Sequence, residues 1–332
     1  MKDKTQVLCI GNAIVDVIAK VEDDFLAGFG MDKGAMILVD EETSNRIYDA
    51  MPPAEEQSGG SAANTAAGLA SLGGKVAFVG KVKDDQLGKV FRHDLVAAGV
   101  DFTTKAQSAG EATANSLILV SPDAQRTMNT YLGACGALWE ADVRETDIEA
   151  TDVVYVEGYL WDRDNAKRAV LKAMRRAKAN GKKVALSLSD SFCVDRFRGE
   201  FMDLIKNHVD ILFANEAEIT SLFEVDTFDD ALQLLAPHVH VAALTRGAHG
   251  AVILTQDEVH VIDAYPTIIE DTTGAGDLFA AGFLYGYTNG YNLADAGRIG
   301  SMCAAEVISH LGARPAISLA QLIQERLGAQ EK

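Results

Sequence analysis

Short apolar runs rich in β-branched residues recur along this chain with helical patterns between them, and that alternation limits the possible folds more than any other feature. Residues 7–11, 76–80, 153–157, 184–187, 211–214 and 241–245 are short runs made up mostly of apolar residues. Such runs are the pattern of strands buried on both faces. Segments 61–72, 85–98, 163–180 and 227–235 instead carry apolar residues three and four apart with Ala, Lys and Arg between them, the period of a helix. Strand-helix alternation over most of a chain predicts an α/β fold, a doubly wound, mostly parallel sheet with helices on both faces.

Two stretches break the rhythm. Residues 34–40 and 112–131 read as strands with no helix after them, the second folding at Ser121-Pro122-Asp123, a turn sequence. Together they predict a small β-sheet lid over one edge of the main domain, formed by segments of about 18–45 and 110–132. Helical spacing returns at 275–287 and 293–309, so a helix pair closes the chain. With no internal repeat and only six prolines in 332 residues, one domain over 1–332 is expected.

Charge and composition remove several classes of function. Acidic residues number 48 and basic ones 30, a net charge of −18, the wrong sign for a general nucleic-acid binder or an anionic membrane surface. Cys9, Cys135, Cys193 and Cys303 form no C-x-x-C pair, so zinc-ribbon and redox readings lack support and each reads as a small buried residue. Asn12 and Asp16 interrupt the first apolar stretch before a signal-peptide core forms. No run approaches the roughly 18 apolar residues of a membrane span. A cytoplasmic location is expected.

Two phosphate-loop patterns fail. Gly74-Lys75 has Leu69 and Val76 where G-x-x-x-x-G-K-[ST] needs glycine and a hydroxyl. Gly28-Phe29-Gly30 is followed by Gly34, one residue late for a dinucleotide fingerprint.

Three other segments fit ligand chemistry. In Asp271-Thr272-Thr273-Gly274-Ala275-Gly276-Asp277, small residues begin a helical pattern, where free backbone N–H groups attract an anion. Asp277 would sit beside those donors as a proton acceptor; the same residues also suit an ordinary helix cap. Ser58-Gly59-Gly60-Ser61-Ala62-Ala63-Asn64 is a tight turn into a helix, in which paired glycines admit a ligand and Asn64 offers donor and acceptor, or simply a capped turn. Gly11-Asn12 with Asp16 puts polar groups after a buried strand, where an aspartate either takes vicinal hydroxyls of a sugar or caps a turn.

Taken together, these segments resemble the ribokinase-like, or PfkB-type, carbohydrate and nucleoside kinases over nearly the whole chain. Residues 59–66 are similar to the N-terminal signature of that family, and 271–279 to its C-terminal one. The resemblance implies that Asp277 is the catalytic base, with Gly274, Ala275 and Gly276 as the anion hole for a phosphoryl group moving from ATP to an alcohol. It implies that Asn215 and Glu218, in Asn215-Glu216-Ala217-Glu218, help hold Mg²⁺ and the triphosphate, often through water. The same Asn-x-x-Glu spacing also serves as a helix capping box. Thr245, Gly247 and Gly250 resemble the family's nucleotide-contacting T-x-G segment. Asp271, Thr273 and Gly312 match positions that often bind a monovalent cation such as K⁺, although Ala316 stands where some sugar kinases carry serine.

Within the family, Gly11-Asn12-Ala13-Ile14-Val15-Asp16 and 306–315 resemble the adenosine kinase branch. That resemblance implies Asn12, Asp16, Gly59, Gly60 and Asn64 around a ribose whose 5′-hydroxyl faces Asp277. Met36, Leu38 and Leu117 are candidates for a purine slot, and Glu157 and Tyr159 for the acceptor pocket. Arg126, after the lid turn, is a cation that swings over the triphosphate, or a solvated lid residue. His93, His208 and His310 form no metal pattern. A free sugar such as ribose or fructose is the alternative acceptor, and a monomer or homodimer is expected, with no nucleic-acid partner. A silent nucleoside binder and a nicotinamide oxidoreductase are the other readings weighed; the intact Asp277 and the missing fingerprint count against them.

Overall fold

Runs with no polar face can be satisfied only between two layers of helices, and the six expected strands do lie together in one sheet. The computed structural model describes residues 5–123 and 125–330; residues 1–4, 124, 331 and 332 of the expected 1–332 domain lie outside them. The main sheet contains β1 (Val7–Ile10), β5 (Val76–Val79), β6 (Asp101–Phe102), β9 (Val153–Glu157), β10 (Lys183–Ser187), β11 (Ile211–Asn215), β12 (Val241–Thr245), β13 (Ala251–Leu254) and β14 (Val259–Ile262). Its order is β14-β13-β12-β11-β10-β9-β1-β5-β6. The strands from β12 to β6 run parallel. The last two, β13 and β14, are antiparallel, an edge that strand-helix alternation does not foresee.

One face is covered by α3 (Ser61–Ser71), α4 (Gln86–Ala97), α10 (Ala275–Thr288), α11 (Leu293–Val307) and α12 (Leu319–Gln330). The other is covered by α5 (Glu145–Glu149), α6 (Asp164–Ala179), α7 (Ser191–Asn207), α8 (Glu216–Phe223) and α9 (Phe228–Leu235). Every residue of α3 from Ala62 to Leu69 is buried, because the helix lies between the sheet and α10. A Cβ on Gly68 would stand 2.5 Å from Leu278 Cδ1. Only glycine there lets α3 and α10 approach closely enough for their first turns to meet.

The second sheet has the order β3-β8-β7-β2-β4, from β2 (Ile14–Lys20), β3 (Met36–Leu38), β4 (Glu55–Gly59), β7 (Ala114–Val120) and β8 (Arg126–Tyr131). It takes in more chain than 34–40 and 112–131, since β2 and β4 pair with each other and β2 with β7. Helices α1 (Asp23–Phe29) and α2 (Glu41–Ala50) are inserted between its strands. The reading of 34–40 as a strand without a following helix is therefore corrected. Asp40 caps α2 by accepting from the Thr43 N–H at 2.8 Å, a local bond that ends the strand and begins the helix. All four cysteines are buried and free. Among the described residues no helix is long and apolar enough to cross a membrane.

Candidate active site

In an open parallel sheet, ligands bind at the carboxyl ends of strands where the order reverses. Here that point lies between β1 and β9, and beside it the residues at the ends of β10, β11 and β12, with the first turns of α3 and α10, border one cleft of about 540 Å³, within the usual range for small-molecule sites. Its walls include Ser61, Ser187, Ser189, Asn215, Glu218, Thr245, Gly247, Ala275, Gly276 and Asp277.

Asp277 stands in the first turn of α10 and is held by α3. Its Oδ1 accepts from Ser61 Oγ at 2.6 Å and its Oδ2 from Asn64 Nδ2 at 2.9 Å. Burial pushes the Asp277 carboxyl above the usual aspartate range, and the bonds from Ser61 and Asn64 and the charge of Arg314 offset part of that rise. The result is a carboxylate more basic than a solvated one yet fixed in orientation. Asn64 Oδ1 is buried without a partner among the described residues, an acceptor suited to a ligand hydroxyl.

Gly274 caps α10 in the left-handed region, φ +78°, and its Cβ would lie 2.9 Å from Ala313 Cβ. A Cβ on Gly276 would meet nothing within 4 Å. Protein packing thus demands the first glycine and leaves the second facing open space. The N–H groups of Gly274, Gly276 and Asp277 have no acceptor among the described residues, whereas that of Ala275 turns to Thr272 O at 3.3 Å. Unpaired donors at a helix N-terminus are the arrangement that attracts an anion.

Asp16 lies on β2 with its carboxylate against Gly59, where a Cβ would be 2.3 Å from Asp16 Oδ2. It accepts no hydrogen bond from the described residues, and burial pushes it up to about 6 despite the cations Arg126 and Arg314 nearby. Gly60, at φ +91°, passes over Asn12 O. Glu157 does not enter the pocket. It is fully buried beneath it, accepting from the N–H groups of Asn12 at 2.8 Å and Ala62 at 2.7 Å. That burial pushes Glu157 up to about 7. Tyr159 donates its hydroxyl to Ser189 O at 3.3 Å. Leu117 is fully buried in the core and cannot line a slot; Met36 and Leu38 are exposed on the edge strand β3.

Asn215 and Glu218 form a complete capping box on α8, with Asn215 Oδ1 accepting from Glu218 N at 2.8 Å and Glu218 Oε2 from Asn215 N at 3.0 Å. Burial first, then the negative charges of Asp190 and Asp277, pushes Glu218 up to about 7. The negative field that Glu218 shares with Asp190 and Asp277 suits a hard divalent cation such as Mg²⁺. No three His, Cys, Asp or Glu among the described residues converge on a direct metal site. Thr245 and Gly247 line the cleft. Gly250 closes the β12–β13 hairpin instead, where a Cβ would lie 2.0 Å from Ile262 O.

Asp271 Oδ1 accepts from Thr273 N at 3.0 Å and Thr273 Oγ1 at 2.7 Å, and Oδ2 from Gly312 N at 3.0 Å. Arg126 reaches across from β8 to pair with Asp271 and Thr273. It is therefore no solvated surface residue, and its Nε is buried without a partner among the described residues. Burial would raise Asp271, but Thr273, Gly312 and the Arg126 charge together hold it below the usual carboxylate range. Both carboxylate oxygens are thus engaged and neutralised, a poor fit to K⁺ at the side chain. Sequence reasoning missed Ser61, Ser187, Ser189 and Arg314. Only Ser61 carried a signal, its i, i+3 spacing to Asn64 on one helix face.

The model of the pfkB family carbohydrate kinases matches residues 4–319. A crystal structure described as a probable sugar kinase from Rhizobium etli CFN 42 superposes with a TM-score of 0.92 at 48% identity, covering 98% of this chain and 99% of that one. The adenosine kinase from Sinorhizobium meliloti superposes with a TM-score of 0.91, also at 48% identity, over 97% and 99%. Adenosine kinase from Saccharomyces cerevisiae is 26% identical over 91% of this chain and 94% of its own.

Proposed function

This chain belongs to the PfkB family of carbohydrate kinases, phosphotransferases acting on a hydroxyl acceptor, and from that premise we propose that it transfers the γ-phosphoryl group of ATP to the 5′-hydroxyl of adenosine, giving AMP and ADP. The observation that carries the reading is the Asp277 carboxylate, oriented by Ser61 and Asn64 beside the unpaired N–H groups of Gly276 and Asp277. A proton acceptor and an anion site side by side are what attack by an alcohol on a phosphoryl group requires.

Asp277 takes the hydroxyl proton as the new O–P bond forms, and the bond from phosphorus to the ADP oxygen breaks on the far side. The Gly276 and Asp277 amides stabilise charge on the transferring group. Asp16 and Asn64 Oδ1 grip the two ribose hydroxyls, with Gly59 and Gly60 leaving room for the sugar against the backbone and Asn12 at its edge. Thr245 and Gly247 border the nucleotide. Asn215 and Glu218 would hold Mg²⁺ through water, and the ion, when bound, neutralises triphosphate charge. In this reading the second sheet is a lid whose Arg126 brings positive charge over the anion site and keeps water out.

The Gly11-Asn12-x-x-x-Asp16 opening and the Sinorhizobium meliloti adenosine kinase at 48% identity support adenosine as acceptor. The equally similar Rhizobium etli probable sugar kinase favours the second reading, a free sugar. An ATP-consumption assay with Mg²⁺, offering adenosine, other nucleosides, ribose and fructose beside a no-acceptor control, separates them. ADP and AMP with adenosine alone are expected. Turnover with a free sugar instead would overturn the acceptor and keep Asp277 as base.

A further inference from the structure

The chain between Gly312 and Ile317 is pinned from both sides. The Gly312 N–H donates to Asp271 Oδ2 at 3.0 Å, and the N–H groups of Ala316 and Ile317 donate to Glu306 Oε1 at 2.9 and 3.3 Å. Between these pins Arg314 sends its side chain inward to the β4–α3 turn. Its Nε and Nη2 donate to Ser58 O at 3.1 and 2.9 Å, Nη2 also to Ser58 Oγ at 3.0 Å, and Nη1 to Ala63 O. These acceptors bracket Gly59, which lies against Asp16, Gly60, which passes over Asn12 O, and Ser61, which donates to Asp277. The partners lie more than 250 residues away in sequence.

We propose that Arg314 is a positioning residue for the acceptor site: its guanidinium fixes the β4–α3 turn and the first turn of α3 against the segment that carries Gly312. A planar fork of five donors holds carbonyls of two different elements in one fixed geometry, whereas an ammonium on a flexible stem leaves their relative placement looser. Gly60 has φ +91° and the turn contains two adjacent glycines, so its own backbone is permissive and needs an external restraint. Errors of about 1 Å in placing Ser61, Asn64 or Gly59 would be felt directly at the Asp277 and Asp16 carboxylates, where such misplacement costs about 10²-fold in rate. The cation also draws down both Asp16 and Asp277, so it helps keep the two carboxylates ionised although it touches neither.

The inference rests on the reading of Asp277 as the base that serves a hydroxyl acceptor, and its test has one arm that does not need that reading. Arg314→Gln and Arg314→Lys, as full-length protein, are compared with wild type by amide hydrogen exchange over residues 58–65 and by initial rates with acceptor and ATP varied separately. Exchange there should accelerate at least tenfold in Arg314→Gln while α6 and β10 exchange as before. The acceptor KM should rise about tenfold and kcat fall about tenfold, with the ATP KM within twofold; Arg314→Lys, which keeps the charge but not the fork, should show the same acceptor defect in milder form. A merely structural role would lower kcat and thermal stability and leave the acceptor KM alone. Unchanged exchange at 58–65 overturns the proposal, as does an unchanged acceptor KM in an active enzyme. If wild type phosphorylates no acceptor, the Asp277 reading fails, and the exchange data alone decide the clamp.

Discussion

Replacing Gly276 by alanine separates what the fold needs from what the site needs. The added methyl meets no atom within 4 Å, and alanine is the better helix former by up to about 1 kcal/mol in a helix interior. With an unfolding entropy of about 2.1 cal/mol/K per residue, roughly 0.7 kcal/mol/K for this chain, the gain would raise Tm by no more than about 1.5 °C. Activity should move the other way. A methyl carbon holds an oxygen off at about 3.5 Å or more, so if the transferring group occupies the open space beside Gly276 Cα, the methyl would push it away from the Gly276 and Asp277 donors, whose N–H···O bonds need about 2.9 Å. Loss of such donors costs about 10² in kcat. Thermal unfolding and ADP release measured on the same preparation give the two numbers. A Tm several degrees lower would mean that packing needs the glycine. Near-normal turnover would mean that no phosphoryl group passes there. Gly274→Ala is the control: with φ +78° and a Cβ 2.9 Å from Ala313, it should lose stability through strain of about 1–3 kcal/mol.

Asp277→Asn should keep the contacts to Ser61 and Asn64 in outline and lower kcat by about 10² or more, measured by product formation at saturating acceptor; near-normal turnover would remove Asp277 as base. Burial pushes Glu157 and Glu218 up to about 7 and Asp16 up to about 6, against about 4 to 4.5 for free carboxyls. The folded protein therefore holds protons that the unfolded chain has released, and stability falls as pH rises from about 4 to about 7. Urea midpoints taken without Mg²⁺ should be higher at pH 5 than at pH 7.5, and Glu157→Gln should narrow the difference. Because Arg126 already neutralises Asp271, exchanging K⁺ for Na⁺ at constant ionic strength should alter wild-type turnover less than twofold. Arg126→Met should lower kcat/KM by about tenfold or more, a loss seen in initial rates.

The buried strands and the glycine-rich helix starts are legible in the sequence because each is a local matter, set by burial on both faces or by backbone freedom at a turn. The second sheet is only half legible. Strands β7 and β8 announce themselves by composition, but β4 reads Glu-Glu-Gln-Ser-Gly, a sequence with little strand preference that is extended because β2 pairs with it. Similarly α7 carries Gly199 and a non-helical Phe197 at φ −125°, which blurs its period. At the site, Asp277 and Asn64 stand out through their motifs, whereas the bond from Ser61 to Asp277 joins residues 216 apart. Glu157 is misread as a pocket residue because a strand-end carboxylate has no local mark of burial. Its partners, the amides of Asn12 and Ala62, come together only once α3 packs over β1.

The pairing of Arg126 with Asp271 has a consequence for how salt acts on the second sheet. Both side chains are nearly shielded from solvent, at 13% and 5% exposure, so added salt reaches them poorly while they are together and screens them well once parted. Ionic strength therefore stabilises the separated charges more than the joined ones, and if the second sheet opens as a lid, it should open more readily in concentrated salt. If escape of nucleotide product sets the pace, this acidic enzyme works faster as salt is added, until weakened capture of substrate reverses the trend.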